Sequence, residues 1–293
     1  RARTALEVSA ERLTPLFPAN DARIGELLAL AGMTYIIAGE HFCSGAPFSS
    51  RAPTLEYGNS LTTAQMFETA LARLTSAGQV SGVAGTPIQH LIAVLRGRAE
   101  LNLGNFGAAA AAVAGVPTDF EYNFYHSTGT ARQQNNFFLQ NANDVYSVSN
   151  LEGGNGLNFA TAGDPRVPVV RSTLTATGNS RNDTVTPQYY FTKFTSGGDP
   201  VTVASGLEAR LIEAEAALNA GDPGTWLAKI NEVRAQFDGL DPATDPGTEA
   251  GRVDLMFRER AFTMFLTGHR LGDLRRLVRQ YGRNKESVYP TGA

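Results

Sequence analysis

The feature that most constrains the fold is a set of amphipathic helical segments that follow one another in pairs. Apolar residues recur every three or four positions over residues 21–40, 62–77 and 87–103, which is the period of a helix with one buried face. Gly104 separates two such segments, and the alanines that follow it let neighbouring helices approach closely. Helix pairs of this kind cannot bury their apolar faces alone, so we expect them to stack.

These helix pairs predict a mostly α fold, in which tetratricopeptide-like pairs form a superhelical scaffold. The predicted pairs cover residues 21–78, 86–116, 207–237 and 250–281. We therefore expect one domain over residues 1–293, with helical repeats at about 21–116 and 207–281.

The helical pattern is interrupted between residues 118 and 205, where Asn, Gly, Thr, Ser and aromatic residues are frequent. Repeated Gly and Asn over residues 150–163 are typical of a loop, whereas residues 167–175 and 187–194 alternate as short strands do. A stretch of this length without helices is too long for a passive connection and is usually functional. We expect a long, irregular, loop-rich insertion with short strands to form the ligand-site region at about 118–205.

Composition limits the classes of partner. A formal net charge of −3 over 293 residues is too small to indicate nucleic acid or an anionic membrane surface as a partner. The chain contains no run of about 18 apolar residues of the kind that spans a membrane. Its single cysteine, Cys43, excludes an internal disulfide framework.

The sequence contains no strong catalytic or metal-binding pattern. Its histidines are scattered and do not form the His-Glu-x-x-His helix face that binds zinc: they are His41, His90, His126 and His269. Neither a Gly-x-Ser-x-Gly elbow nor a phosphate-binding glycine loop occurs. We therefore expect no metal, no cofactor and no catalytic residue, while a glycosidase pair of carboxylates far apart in sequence stays open.

The C-terminal segment, residues 253–279, combines two apolar helical faces with closely spaced Arg, Glu and Asp residues. Its pattern resembles the C-terminal signature of the SusD/RagB-like family, and the residues that carry the resemblance are Glu259, Arg260, Gly268, Arg270, Asp273 and Arg276. Thr263 and Thr267 depart from that family, which usually has glutamates at these positions.

The resemblance extends upstream and covers roughly residues 164–279. Glu215 lies in a helix with the family's apolar-Ala-Glu-Ala core, and Arg234 ends a match to its Asn-x-Val-Arg helix. Asp164 and Arg166 match its Asp-Pro-Arg motif. We expect these charged residues to be structural, forming a salt-bridge network that ties the last helices to the repeat stack.

The family consists of nutrient-capturing lipoproteins of the outer membrane in some Gram-negative bacteria. The resemblance therefore implies non-catalytic capture of a nutrient, with an oligosaccharide favoured, and delivery to a TonB-dependent β-barrel transporter. It also implies a surface-facing position on the outer membrane through a lipid anchor, whose signal and cysteine are not in this sequence.

Candidate ligand-binding residues are aromatic and planar polar groups in two predicted loops. Sugar rings have apolar C–H faces that stack on aromatic rings, and their hydroxyls pair with amide, carboxylate and guanidinium groups. One loop follows the helix at 21–40, a segment that contributes to the ligand pocket in the family, and the other begins near residue 120. The candidates are Glu40, Phe42, Phe48, Arg51, Tyr57, Tyr122, Asn123, Tyr125 and Arg132.

Two other functions stay open beside capture. A tetratricopeptide scaffold would bind a protein or peptide in its groove, but open scaffolds of that class normally have short turns instead of a long polar insertion. A glycoside hydrolase would transform the sugar, so turnover of the ligand separates it from a binding protein.

Overall fold

The computed structural model describes residues 2–18, 20–50, 54–143, 146–173, 175–180 and 184–291. In this part of the chain the fold is mostly α with only short strands, which confirms the predicted class of tetratricopeptide-like helix pairs with an irregular insertion. The chain divides into two compact units. Unit 1 consists of Arg1–Tyr122 and Ala204–Val233, and unit 2 of Asn123–Val203 and Arg234–Ala293.

The helices and strands are as follows. The helices are α1 (Ala2–Leu13), α2 (Ala22–His41), α3 (Thr63–Gly78), α4 (Pro87–Leu103), α5 (Phe106–Val113), α6 (Asn136–Ala142), α7 (Gly206–Asn219), α8 (Pro223–Arg234), α9 (Glu249–Thr263), α10 (Arg270–Arg279) and α11 (Lys285–Val288). The strands are β1 (Ala46–Pro47), β2 (Ser60–Leu61), β3 (Glu121–Phe124), β4 (Val169–Arg171), β5 (Tyr189–Phe191) and β6 (Val201–Ser205). Single 3₁₀ turns occur at Ser81–Val83 and Asn150–Gly153.

Local sequence signals set the helix boundaries. The Thr62 hydroxyl accepts a hydrogen bond from the Gln65 amide at 3.2 Å, and the Gln65 side chain accepts one from the Thr62 amide at 2.9 Å. This reciprocal capping box begins α3. Helix α4 begins at Pro87, whose fixed φ suits a first turn, and ends at Gly104, whose φ of 83° lies in the left-handed region. Both ends of α4 agree with the sequence prediction.

Unit 1 is built from helices that pack through small residues. Helix α2 packs against α1 and α3, and α5 packs against α4 and α7. A Cβ atom added at Gly97 of α4 would lie 2.5 Å from the Val113 side chain of α5, so this close approach requires glycine. The single tryptophan, Trp226 of α8, is completely buried.

By length and composition alone, α2 is apolar enough to cross a membrane, and it is near the N-terminus. Within unit 1, however, Ile24, Ala29 and Ile36 on this helix are buried, as is 56% of its most apolar stretch. Glu40 in its last turn forms an ion pair with Arg98 of α4. These contacts are those of a core helix.

Unit 2 combines the irregular region with the C-terminal helices. Strands β4 and β5 pair antiparallel with Val169 opposite Phe191, which confirms the two predicted strands in shorter form. Aromatic residues from both parts form one core, which consists of Phe159, Val167, Phe191, Phe194, Ala261, Phe262 and Phe265. The helices predicted at 250–281 as a repeat pair therefore pack on the irregular region within unit 2.

Candidate functional site

The charged signature residues form two buried clusters in unit 2. In the first, the Arg166 guanidinium binds Asp164 at 2.7 Å and Glu259 at 2.5 Å, and Arg234 binds Glu259 at 2.8 Å. Burial alone would raise the pKa of Asp164, but the hydrogen bonds and charge of Arg166 hold that pKa below its ordinary value. Because two carboxylates face two guanidiniums, the charges balance and the cluster is structural.

The second cluster is centred on Asp273 of α10. Its carboxylate lies 3.1 Å from Arg260 and 3.0 Å from Arg276, and all three side chains are almost fully buried. Burial would raise the pKa of Asp273, but the two guanidiniums outweigh it and hold that pKa far below its usual range. Gly268, with a φ of 82°, turns the chain so that α9 and α10 bring these charges together.

Arg270 lies outside both clusters. Its guanidinium pairs with Glu152 at 2.6 Å, whereas Asp273 is held between Arg260 and Arg276. Glu215, the remaining signature residue, is completely buried in α7 of unit 1.

The first predicted ligand loop is a short hairpin in unit 1. Strands β1 and β2 pair antiparallel, and a further bridge joins Ser50 to Glu56. Phe42 and Tyr57 are 60% and 85% exposed, so both stay candidates for ligand contact. Arg51 lies outside the described residues.

Glu40 and Phe48 have structural environments. The Glu40 side chain is buried and accepts hydrogen bonds from Arg98 at 2.8 Å and from Asn102 at 2.9 Å. It is therefore not available to a ligand, which corrects the sequence prediction; its partners lie on α4, far along the chain. Phe48 is half-buried and stacks on Tyr35 with ring centroids 4.8 Å apart.

The second predicted loop begins as strand β3, where Tyr122 and Asn123 are half-buried, and continues into exposed residues. The Tyr122 hydroxyl donates a hydrogen bond to Glu26 in unit 1. Burial and, to a smaller extent, this hydrogen bond raise the pKa of Tyr122. Asn123 accepts a hydrogen bond from Thr202 at 2.7 Å in unit 2. Tyr125 and Arg132 are exposed on unit 2 and stay candidates for ligand contact.

Unit 2 also contains a cavity of about 470 Å³ that the sequence did not indicate as a site. We call it the aromatic cavity, and its lining includes Asn136, Phe137, Gln140, Tyr146, Phe191 and Leu266. The rings of Phe137 and Tyr146 are 44% and 61% exposed, so they lie at its open side. Apolar rings with a few amide and hydroxyl groups are the usual lining of a small-ligand site.

The walls of the aromatic cavity are held by local structure. Asn135 is fully buried and caps α6, where its Oδ1 atom accepts the Phe137 amide at 2.9 Å and thereby fixes the helix that carries Phe137 and Gln140. Leu266 and Glu152, which also line the cavity, have φ angles of 62° and 47° in the left-handed region. Such conformations are costly for residues other than glycine and cluster at functional sites.

No group of three or more His, Cys, Asp or Glu residues within the described ranges is placed to hold a metal ion. The ionisable clusters of unit 2 are occupied by ion pairs. The geometry of the aromatic cavity therefore suits binding by stacking and hydrogen bonding.

Comparison with known proteins identifies the class of fold. A SusD superfamily protein from Bacteroides vulgatus superposes with a TM-score of 0.64 at 15% identity, covering 99% of this chain and 76% of that one. Surface glycan-binding protein A from Bacteroides uniformis gives 0.67 at 15% identity, over 98% and 73% of the two chains. NanU from B. fragilis gives 0.61 at 14% identity, over 94% and 74%. The fold is that of the SusD superfamily.

The SusD family profile also matches the sequence itself, over residues 169–292. That match contains β4, β5, α7 to α11 and most of the charged signature. The resemblance to the SusD family predicted from the sequence is therefore confirmed. No curated protein sequence matches this chain.

Proposed function

We propose that this protein captures a glycan nutrient without transforming it, with an oligosaccharide as the ligand. The observation that carries the proposal is the aromatic cavity of unit 2, in which Phe137 and Tyr146 present open rings beside the amides of Asn136 and Gln140. Sugar C–H faces stack on such rings, and amides both donate to and accept from sugar hydroxyls.

The fold supports this class of ligand. One of the proteins with the same fold is a surface glycan-binding protein, and two others are SusD-like carbohydrate-binding proteins. At about 15% identity these likenesses show the fold alone. The proposed ligand class therefore rests on the aromatic cavity.

Capture at a membrane surface is the mechanism that we propose. The protein would be held by a lipid anchor on the outer face of the outer membrane, where it presents the glycan to a TonB-dependent transporter. Tethering gives a high effective concentration of bound ligand at the transporter, so modest affinity is sufficient.

The test is isothermal titration calorimetry with a panel of neutral oligosaccharides, including maltoheptaose, xylohexaose and laminarihexaose. We expect one class of glycan to bind and Tyr146→Ala and Phe137→Ala each to weaken its binding about tenfold, which corresponds to about 1.4 kcal/mol. Phe124→Ala is the control, because Phe124 is a partly exposed ring of unit 2 outside the cavity lining.

Chromatography of the recovered sugar separates capture from hydrolysis, since a binding protein returns the oligosaccharide at its original length. If the protein bound unstructured peptides and none of the glycans, the result would favour the alternative function, a tetratricopeptide scaffold that binds a protein or peptide. Copurification with a TonB-dependent transporter from the native membrane tests the partner directly.

A further inference from the structure

A second cavity of unit 2 is lined by three arginines and has a volume of about 270 Å³. We call it the arginine cavity, and its lining includes Asp254, Phe257, Arg258, Arg270, Leu274 and Arg283. It has no lining residue in common with the aromatic cavity. Its volume lies just below the roughly 300–1,000 Å³ of sites for drug-sized ligands, so it suits a small molecule or one terminal group.

Two of the three guanidinium charges are neutralised within unit 2. Arg270 binds the Glu152 carboxylate through two hydrogen bonds of 2.8 and 2.6 Å. Arg283 donates to Asp254 at 2.8 Å. These two arginines therefore add donors to the cavity but little net charge.

Arg258 supplies the third charge, and in the described part of the chain it has neither an ion pair nor a hydrogen bond through its side chain. Its guanidinium is half-buried and lies 4.5 Å from the centre of the Phe262 ring. This cation–π contact involves no hydrogen bond, so the N–H donors of Arg258 stay available to a ligand.

Partial burial of the unpaired Arg258 guanidinium raises the free energy of the folded protein. An anionic ligand bound to it would offset this cost. The guanidinium fork matches a carboxylate with two parallel hydrogen bonds. Because the neighbouring arginines already have carboxylate partners, the cavity has one positive charge to neutralise. A monoanion balances it, whereas a dianion such as phosphate would leave an excess negative charge beside Asp254.

We propose that the arginine cavity binds the carboxylate group of a small molecule, with Arg258 as its ion-pair partner. The apolar side chains of Phe257 and Leu274 line the same cavity and would contact the carbon skeleton of the ligand. The class includes acidic sugars and small organic acids, which share this carboxylate.

The experiment is calorimetry of the full chain at low ionic strength with glucuronate and acetate, and with glucose and inorganic phosphate as comparison ligands. We expect glucuronate to bind, glucose not to compete with it, and phosphate to bind more weakly. Tighter binding of glucuronate than of acetate would identify an acidic sugar as the source of the carboxylate, and equal binding a small organic acid. Binding should weaken as salt is raised, because added ions screen the ion pair.

Substitutions at Arg258 locate the site. Arg258→Gln should weaken glucuronate binding at least tenfold, while Arg258→Lys, which keeps the charge and loses the fork, should restore part of it. Arg252→Gln is the matched control, because Arg252 is on the same helix but outside the cavity lining. Circular dichroism of each variant establishes that it is folded.

Three results would overturn the inference: no binding of glucuronate to the unmodified protein, equal binding by Arg258→Gln, or tighter binding of phosphate. The inference is independent of glycan capture at the aromatic cavity. Glucuronate and neutral oligosaccharides are titrated separately, so that failure of either site is recognised on its own.

Discussion

Glu152 and Arg270 join the two cavities of unit 2. The Glu152 side chain lines the aromatic cavity, the Arg270 side chain lines the arginine cavity, and the two are linked by hydrogen bonds of 2.8 and 2.6 Å. Glu152 is placed there by a left-handed backbone, and its carboxylate also accepts the Leu157 amide at 2.9 Å. The ion pair is therefore a shared structural element of both proposed sites.

Glu152→Gln should destabilise the fold. The pair is mostly shielded from water, with 13% and 27% of the two side chains exposed, and hydrogen bonds between charged groups contribute about 1–3 kcal/mol. We expect a loss of about that size in the free energy of unfolding, measured with guanidinium chloride. An unchanged unfolding midpoint would show that the pair contributes nothing to stability.

The Glu152–Arg270 pair should make the free energy of unfolding depend on pH. Burial would raise the pKa of Glu152, but Arg270 outweighs it, so the folded pKa lies below the ordinary value of 4.5. The contribution of Glu152 is therefore fully present above about pH 4.5 and is lost as the pH falls through the folded pKa. We expect the stability difference between the unmodified protein and Glu152→Gln to shrink below pH 4.5, and a constant difference would contradict this.

Glu259→Gln should be among the most damaging single changes in unit 2. The carboxylate is 1% exposed and binds both Arg166 and Arg234, so its loss leaves buried positive charge without compensation. Removing one partner of a buried ion pair costs about 3–5 kcal/mol. Asp245→Asn is the control, because it breaks an ion pair with Arg252 at the surface and should have a much smaller effect on denaturant unfolding.

Two helical glycines of unit 1 should respond to alanine in opposite directions. At Gly97 the new methyl group would lie 2.5 Å from Val113, and overpacking of this kind costs about 1–3 kcal/mol. A Cβ atom added at Gly107 of α5 would meet no atom within 4 Å beyond the local backbone. Replacing an exposed helical glycine by alanine adds about 0.5–1 kcal/mol of stability. Thermal unfolding of the two variants measures both effects, and a stabilised Gly97→Ala would contradict the packing of α4 on α5.

The exposed ring of Tyr57 should bind glycan at a second surface, on the hairpin of unit 1 and separate from the aromatic cavity, without contributing to stability. Aromatic stacking is worth about 0.5–1.5 kcal/mol, so Tyr57→Ala should weaken oligosaccharide binding by about two- to tenfold. Its melting temperature should not change, because the side chain is 85% exposed. Leu55→Ala, in the same hairpin and 56% exposed, removes apolar area without a ring and should bind as the unmodified protein does.

The helices were predictable from sequence where one face is apolar and a glycine or proline marks an end. Pro87 and Gly104 bound α4 as expected, and the turn at Gly268 separates α9 from α10. Helix α6 was missed because it has only seven residues and depends on the Asn135 cap and on the packing of Phe138 against the unit 2 core. Short helices of this kind are set by tertiary contacts more than by periodicity.

The candidate site was less predictable than the fold. The aromatic residues of the exposed hairpin were predictable from sequence. Glu40 was wrongly assigned to the ligand, because the sequence does not reveal its ion pair with Arg98 on another helix. The aromatic cavity is assembled from α6 and the nearby Tyr146, from β5 and from Leu266, and the last two lie far along the chain from α6. Only tertiary structure brings such residues to one place.

The core of unit 2 has a consequence for the order in which the chain folds. Phe159 and Phe191 pack against Phe262 and Phe265, so the irregular region lacks its main apolar partner until α9 has been synthesised. Closing this long segment also costs chain entropy before any contact is formed. A nascent chain that stops after α8 would expose these phenylalanines, and their burial by α9 would then protect the newly made protein from aggregation.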